Sequence, residues 1–244
     1  MSESIYIVGD VHGCVRTLAR VLRRAGLIDD RRCWGGGRSS LYFVGDFTDR
    51  GPDGIGVLDL VMRLQDQAQS AGGHIGAILG NHDVFLLAAD RFGRARPSHD
   101  FVVQWRRNGG RVADMERLHA RHRAWLASHP AMRRVGDVLL VHADSVMYGA
   151  FGDTLEAVNA AVAAIVASAD EERPGTCSAP VLRLGRPSWA HRAPHAPACS
   201  CASSAARGSS MGIRPSPSSS VVHRNASGSR TSMPMDSVST WMAP

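Results

Sequence analysis

No lysine occurs anywhere in the 244 residues, and all 28 basic side chains are arginines. The planar guanidinium suits bidentate phosphate contacts, but a complete lack of lysine reads first as GC-rich codon usage. Acids are scarce only locally. Residues 1–179 carry 21 Arg against 21 Asp and Glu, whereas residues 180–244 carry 7 Arg against a single acid, Asp236. The net charge of +6 therefore belongs to the tail and says nothing about partners of the remainder. No apolar run is long enough to cross a bilayer: the longest, residues 155–169, is interrupted by Glu156 and Asn159. Met1-Ser2-Glu3-Ser4 offers no basic leader. There is no CxxC, and Cys14, Cys33, Cys177, Cys199 and Cys201 are scattered and odd in number. A disulfide framework is excluded, and reduced thiols in a cytoplasmic protein are the expectation.

What is present is a globular composition, 44% hydrophobic and 20% charged, long enough to bury a core without disulfides. Short apolar runs ending in glycine or a polar cluster predict strands over residues 5–9, 41–45, 75–79 and 138–141. Apolar stripes at helical spacing predict helices over 15–25, 54–71, 84–92, 115–127 and 155–169. Strands alternating with helices mean an α/β layered fold, in which ligands bind at strand ends. After about residue 173 the pattern stops. Residues 180–244 hold 15 Ser, 8 Pro and 9 Ala with no period of 2 or 3.6, a composition that predicts disorder. The expected organisation is a domain over 1–173 and a low-complexity tail over 174–244.

Each strand runs into a chemically loaded cluster. Gly9-Asp10-Val11-His12-Gly13 follows the first; Asp10 and His12 are two apart in a segment expected to be extended, so both point the same way, and a carboxylate with an imidazole suits a divalent transition metal. Gly45-Asp46-Phe47-Thr48-Asp49-Arg50-Gly51-Pro52 follows the second, Gly80-Asn81-His82-Asp83 the third and His142-Ala143-Asp144 the fourth. Singly, each is an ordinary turn former or surface charge. Together, four strand ends would deliver metal-type and phosphate-type groups to one edge of a sheet. Asp83 and Asp144 read as supporting or helix-start residues. His74, His99 and His129 match no motif, and the Arg-rich surroundings of His119 and His122 predict a solvated face.

GDVHG, GDFTDRGP and GNHD, in this order and spacing, resemble the calcineurin-like metallophosphoesterases. The full DRGP form is similar to the phosphoprotein-phosphatase branch, with its bacterial serine/threonine phosphatases and diadenosine tetraphosphate hydrolases. The resemblance covers roughly residues 5–150 and implies a β-sheet sandwich flanked by helices. It implies two divalent metal ions, Mn first and Fe or Zn as alternatives, one held by Asp10, His12 and Asp46, the other by Asp46, Asn81 and His142. Asp46 would bridge them, and a metal-bridging water would be the nucleophile. It further implies His82 and Asp49 as the catalytic acid pair, with Arg50 and Asn81 binding the substrate phosphate. The partner expected is a phosphorylated protein or a nucleotide; neither a membrane nor nucleic acid is expected, and no oligomeric state is implied.

The chain departs from the family pattern in places. Thr48 stands where Val is usual, GNHD replaces GNHE, and HAD replaces the usual His-Gly-Gly or His-Ala-Gly. The closing Gly-His-Thr segment, whose His is a further ligand of the second metal, has no counterpart after His142. His191, His195 and His223 lie among Pro, Ser and Ala with no strand expected before them. Back-translating Met211 to Pro215 from the third base of each codon permits Gly-His-Thr-Pro, and the same shift over Met233 to Ala243 permits Val-Asp-Met-Asp-Gly-Ala. The expectation is a fold that lacks its last strands, followed by a tail read out of frame. Two functional readings follow: a working phosphoesterase, or an impaired relic without the last ligand.

Overall fold

The computed structural model describes residues 4–93, 100–167, 221–224 and 230–233. β1 (Ile5–Val8), β2 (Ser40–Phe43) and β3 (His74–Ala77) run parallel, in register Val8↔Phe43↔Ala77. Parallel neighbours need crossovers, and α1 (Val15–Arg24) and α2 (Gly54–Ser70) supply them. α1 buries Leu18, Ala19 and Leu22 and ends at Gly26, whose φ of +71° favours glycine. α2 begins at Asp53, whose carboxylate accepts from the Gly56 amide at 2.9 Å. Its buried face, Ile55, Val57, Leu58, Leu60, Val61 and Leu64, covers the sheet. Leu41, Phe43 and Phe47 form the centre of the core. The crossovers leave the C-terminal ends of all three strands, and the loops after them, on one edge.

α3 (Asn81–Gly93) begins three residues before the expected 84–92, so Asn81, His82 and Asp83 occupy its first turn. α4 (Asp100–Arg107) has no counterpart among the expected elements. The helix expected over 115–127 is two helices, α5 (Val112–Arg117) and α6 (Ala120–Ala127), broken where Leu118 and His119 turn extended. The solvated face expected there is corrected at His122. Its ring is fully buried, Nδ1 accepts from the His119 amide at 3.1 Å, and Nε2 meets Asp59 at 2.9 Å. His122 thus satisfies an orphan donor at the start of α6.

β4 (Met132–Val135) and β5 (Val138–Val141) form an antiparallel hairpin and a separate two-stranded sheet. This corrects the expectation that all four loaded strand ends share one sheet. The hairpin turns through Gly136 at φ +57°, and β5 takes β4 as its partner in place of a strand of the parallel sheet. The Leu79 amide donates to Pro130 O at 2.9 Å, tying the two sheets together beside Gly80. Beyond a short 3-10 turn at Val146–Ala150, α7 (Leu155–Ala167) packs on β4. Asn159, the polar break in that apolar run, exchanges hydrogen bonds of 2.9 Å with both backbone groups of Met132. No helix among the described residues is long and apolar enough to cross a membrane.

β6 (Val221–Arg224) pairs antiparallel with the free edge of β1, and β7 (Arg230–Met233) pairs with β6. The sheet order is β3-β2-β1-β6-β7. The expectation of a strandless tail is corrected at these eight residues. The physical reason is an unpaired row of backbone groups on β1, met by a segment with two adjacent β-branched residues, Val221 and Val222. His223 pairs with Tyr6 in register, four positions before Asp10. His191, His195 and the rest of 174–244 lie outside the described residues.

His129, between α6 and β4, is 8% exposed, packs edge-on to Trp125 at 4.2 Å, and has no partner for Nε2. Burial, helped by the Arg133 charge, pushes its pKa down from 6.5 to about 4. A depressed histidine pKa means that the unfolded chain takes up the proton first as pH falls. Stability is therefore full above pH 6.5 and is lost between 6.5 and 4. At pH 5 the loss from this residue is about 2 kcal/mol. Urea denaturation at pH 7 and pH 5 should show that much less acid sensitivity in His129→Gln; equal sensitivity would place the acid response elsewhere.

Candidate active site

The loops after β1 and β2 are hydrogen-bonded to each other before any side chain is considered. The amides of Val11 and His12 donate to Asp46 O at 3.0 and 2.8 Å, and that of Gly13 donates to Phe47 O at 2.8 Å. His12 has φ +44°, so the expectation of an extended Asp10–His12 segment is corrected. A left-handed turn, not strand alternation, brings His12 Nε2 to 3.7 Å from Asp10. Asp46, Asp49 and Arg50 also have positive φ, at +53°, +65° and +59°. Such conformations cost of order 1–3 kcal/mol each and persist only where the surroundings over-determine them.

Asp83 supplies much of that determination. Its carboxylate is fully buried and accepts from the amides of Asp46 at 2.8 Å, Phe47 at 2.9 Å and Gly80 at 3.1 Å. It binds the loops after β2 and β3 together from the first turn of α3. A Cβ on Gly80 would strike the Asp46 carboxylate, and one on Gly45, at φ +94°, would strike the Gly80 backbone. Glycine is required at both by this close approach.

The five expected ligands converge. His12 Nδ1–H donates to Thr48 O at 3.1 Å and His142 Nδ1–H to Val44 O at 2.8 Å. Each ring is thereby oriented with Nε2 toward the centre. Both Nε2 atoms lie 3.5 Å from Asp46 Oδ2, which stands between them. Asp10, Asp46 and His142 offer donor atoms all within 4.8 Å of one another. Asn81 Oδ1 is 2.9 Å from His142 Nε2. Both nitrogens of His142 therefore face oxygens, and a neutral imidazole can satisfy only one of them. Burial and the Asp10 charge push Asp46 up to about 8, while burial and the Asp46 charge push Asp83 up to about 8. Burial and the Arg50 charge push His12 down to about 4. Crowded buried carboxylates beside lone-pair nitrogens are the donor chemistry of a divalent cation, which reverses the two acid shifts by favouring ionised carboxylates and reinforces the His12 shift by favouring the neutral imidazole. The residues fit the metals that the sequence resemblance implies.

The second constellation lies beside the first. His82 Nδ1 and Asp49 Oδ2 are 2.9 Å apart, with exposures of 2% and 0%. Asp49 Oδ2 also accepts from Trp105 Nε1 at 2.7 Å, and Oδ1 accepts from the Arg111 amide at 3.4 Å. Burial pushes Asp49 up to about 7, opposed by these two donors. Burial and the Arg50 charge push His82 down to about 3, the reverse of the protonated form that the acid role implied by the resemblance requires. The cause is visible. The Arg50 fork donates through Nη2 to His82 Nε2 at 2.9 Å and through Nη1 to His12 Nε2 at 2.7 Å. The second contact uses the lone pair that His12 would offer an ion, so the two exclude each other. Asp144 forms no part of either constellation.

Thr48 is fully buried and its hydroxyl has no partner. An unsatisfied buried hydroxyl costs about 1–3 kcal/mol. Thr48→Val keeps the shape and removes the group, so it should raise stability by about 1 kcal/mol, read as a higher urea midpoint at unchanged m-value. A lower midpoint would mean that the hydroxyl has a partner after all.

The family model described as calcineurin-like phosphoesterase matches residues 4–160. The chain belongs to this family. A symmetrical bis(5'-nucleosyl)-tetraphosphatase from Acidovorax sp. (strain JS42) is 35% identical over 144 residues, covering 57% of this chain and 43% of that protein. Shewanella-like protein phosphatase 2 of Arabidopsis thaliana is 34% identical over 88 residues, 36% of this chain and 22% of that one. Among solved structures, the cold-active protein-tyrosine phosphatase of a psychrophile Shewanella sp. superposes with a TM-score of 0.52 at 26% identity, over 68% of this chain and 50% of that one. The chain thus spans half or less of the length of these relatives.

Two site contributors are absent from the sequence motifs. Trp105 and the Arg111 amide reach Asp49 from α4 and the loop after it. The spacing of Phe101, Val102 and Trp105 is the helical signal that could have drawn attention to this wall.

Proposed function

We propose that the chain hydrolyses phosphate esters at this site, acting on a nucleotide polyphosphate or a phosphorylated protein. The observation that carries the reading is the convergence of Asp10, His12, Asp46, Asn81 and His142 within reach of the buried His82–Asp49 pair. Asp10, His12 and Asp46 hold one divalent ion, and Asp46, Asn81 and His142 hold the second; a mixed nitrogen and oxygen set suits Mn²⁺, Fe or Zn²⁺. When bound, such ions supply Lewis acidity toward both phosphate and water. The protein's own groups do the rest. An incoming phosphate draws the exposed Arg50 fork away from the two imidazoles and is gripped by it. That frees His82 Nε2 beside an anionic phosphate, where a proton is favoured, and Asp49 holds the opposite nitrogen. Water attacks phosphorus and forms the new P–O bond while the bond to the leaving oxygen breaks, and His82 donates its Nε2 proton to that oxygen. Asn81, at the amino end of α3, lends a neutral oxygen that adds no further negative charge.

Turnover of an aryl phosphate with added Mn²⁺, followed by a dinucleoside tetraphosphate and a phosphopeptide, tests the proposal. Hydrolysis of the aryl ester that His82→Ala and Asp46→Asn both suppress supports it, and faster release from one natural substrate selects the class. No turnover by a folded chain holding two ions would overturn it.

A second reading, an impaired relic, has its own observation. Among the described residues, the second ion finds only Asp46, Asn81 and His142. Under this reading the second ion loads only at high metal concentration, and correcting an out-of-frame tail restores both loading and turnover. Genomic reads across codons 170–215 test the frame directly.

A further inference from the structure

We infer that Trp105 is the positioning residue that holds the Asp49–His82 pair in its working geometry. The inference rests on the acid role proposed for His82. Asp49 lies in a left-handed backbone conformation with no exposed surface, so its carboxylate direction is set by what it touches. One oxygen, Oδ2, takes both His82 Nδ1 at 2.9 Å and Trp105 Nε1 at 2.7 Å. Among the described residues the other takes only the Arg111 amide, at 3.4 Å. An indole N–H donates and never accepts, so the 2.7 Å contact fixes which oxygen faces the imidazole and favours the ionised carboxylate. The same contact leaves His82 one arrangement, with Nδ1–H toward Asp49 and Nε2 toward the phosphate side.

Trp105 is suited to this by its immobility. It is 1% exposed, and the backbone of Gly110 lies against its ring so closely that a Cβ there would overlap the indole. The loop that locks it is tied to the site twice more, because the Gly109 carbonyl accepts from the Arg50 amide at 2.8 Å and the Arg111 amide reaches Asp49. Asp49 and Arg50, two of the four strained residues of the site, are thus both held by the 105–111 segment.

Trp105→Phe keeps the ring and removes the donor. With Mn²⁺ present, kcat for a poor leaving group such as phenyl phosphate should fall about 10-fold, a part of the 10²–10⁴-fold that a general acid contributes. KM should be unchanged, and the loss should be smaller for 2,4-dinitrophenyl phosphate, which needs little protonation. In a His82→Ala background the same substitution should have no further effect, since a positioning residue acts only through the group it positions. A readout without turnover comes from proton NMR of the ion-free chain: the His82 Nδ1–H resonance should move in Trp105→Phe, and the Trp105 indole resonance should move in Asp49→Asn. Equal losses for both esters, or an additive loss on top of His82→Ala, would make Trp105 a packing residue only. If His82→Ala itself shows no leaving-group dependence, the acid role fails, and the NMR shifts alone then decide whether Trp105 orients Asp49.

Discussion

Asp46→Asn should leave the purified chain without either ion, whereas His12→Ala should mainly weaken the first. Asp46 Oδ2 is the one atom 3.5 Å from both His12 Nε2 and His142 Nε2, so the two halves of the site share it. Asparagine replaces a charged bridge with a neutral oxygen and an amino group, which cannot serve two cations. The fold should survive, since asparagine tolerates the φ of +53° better than most residues and can still accept from the His82 amide as Asp46 Oδ1 does at 2.9 Å. The ion-free variant should be no less stable than the ion-free parent, because the exchange removes a carboxyl that burial already pushes up to about 8. Metal analysis alongside thermal melts separates these statements. Two ions retained in Asp46→Asn would remove Asp46 as the bridge.

His82→Ala should leave metal content intact and lower kcat by about 10²–10⁴-fold, the range of general acid–base catalysis. Its imidazole is buried against Asp49 and, with Nε2 turned toward Arg50, is oriented toward the substrate side rather than among the ligands. The deficit should shrink as the leaving group improves. An equal deficit for good and poor leaving groups would remove His82 from the acid role, and loss of an ion would mean that the helix start had been disturbed instead.

The ligand loops were legible because each requirement is local. A strand must stop, glycine must permit the turn, and a carboxylate or imidazole must follow within a few residues. GDVHG, GDFTDRGP and GNHD carry all of this in short stretches. Less legible was how the stretches meet. His142 reaches the site from a second sheet, and the four-residue β4 is too brief and too basic, Met-Arg-Arg-Val, to stand out as its partner strand. The turn at His12 replaces the expected extended segment because His12 N and Val11 N are drawn onto Asp46 O, a partner 34 or more positions away. Asp83 looked like a helix-start residue, and it is one, yet its role as acceptor for three amides depends on Gly80 and Asp46 being neighbours in space. Trp105 was out of reach for the same reason, since its 2.7 Å partner is 56 positions earlier. For residues 180–244, composition argued against any strand. The eight paired residues show how an open strand edge can recruit a short segment, here one with Val221 and Val222 adjacent, inside a stretch whose overall composition argues against strands.

The junction of His142 with Val44 spans 98 positions and sets an order of events on the ribosome. β1, β2, β3 and the first turn of α3 are synthesised within the first 83 residues, so three of the four ligand loops can assemble while β5 is still unmade. Until it emerges, Asp10 and Asp46 lack the His142 imidazole that lies 4.0 and 3.5 Å from them in the complete fold. The nascent chain therefore passes through a stage in which the site is open on the side of His142, and docking of the β4–β5 hairpin supplies that imidazole and closes the site. A ribosome stalled near residue 125 would display the open form, and one stalled far enough past residue 145 for the hairpin to clear the exit tunnel would display the closed one. Protection from hydrogen exchange of the Leu79 amide, which donates to Pro130 O at 2.9 Å, would mark the passage between them.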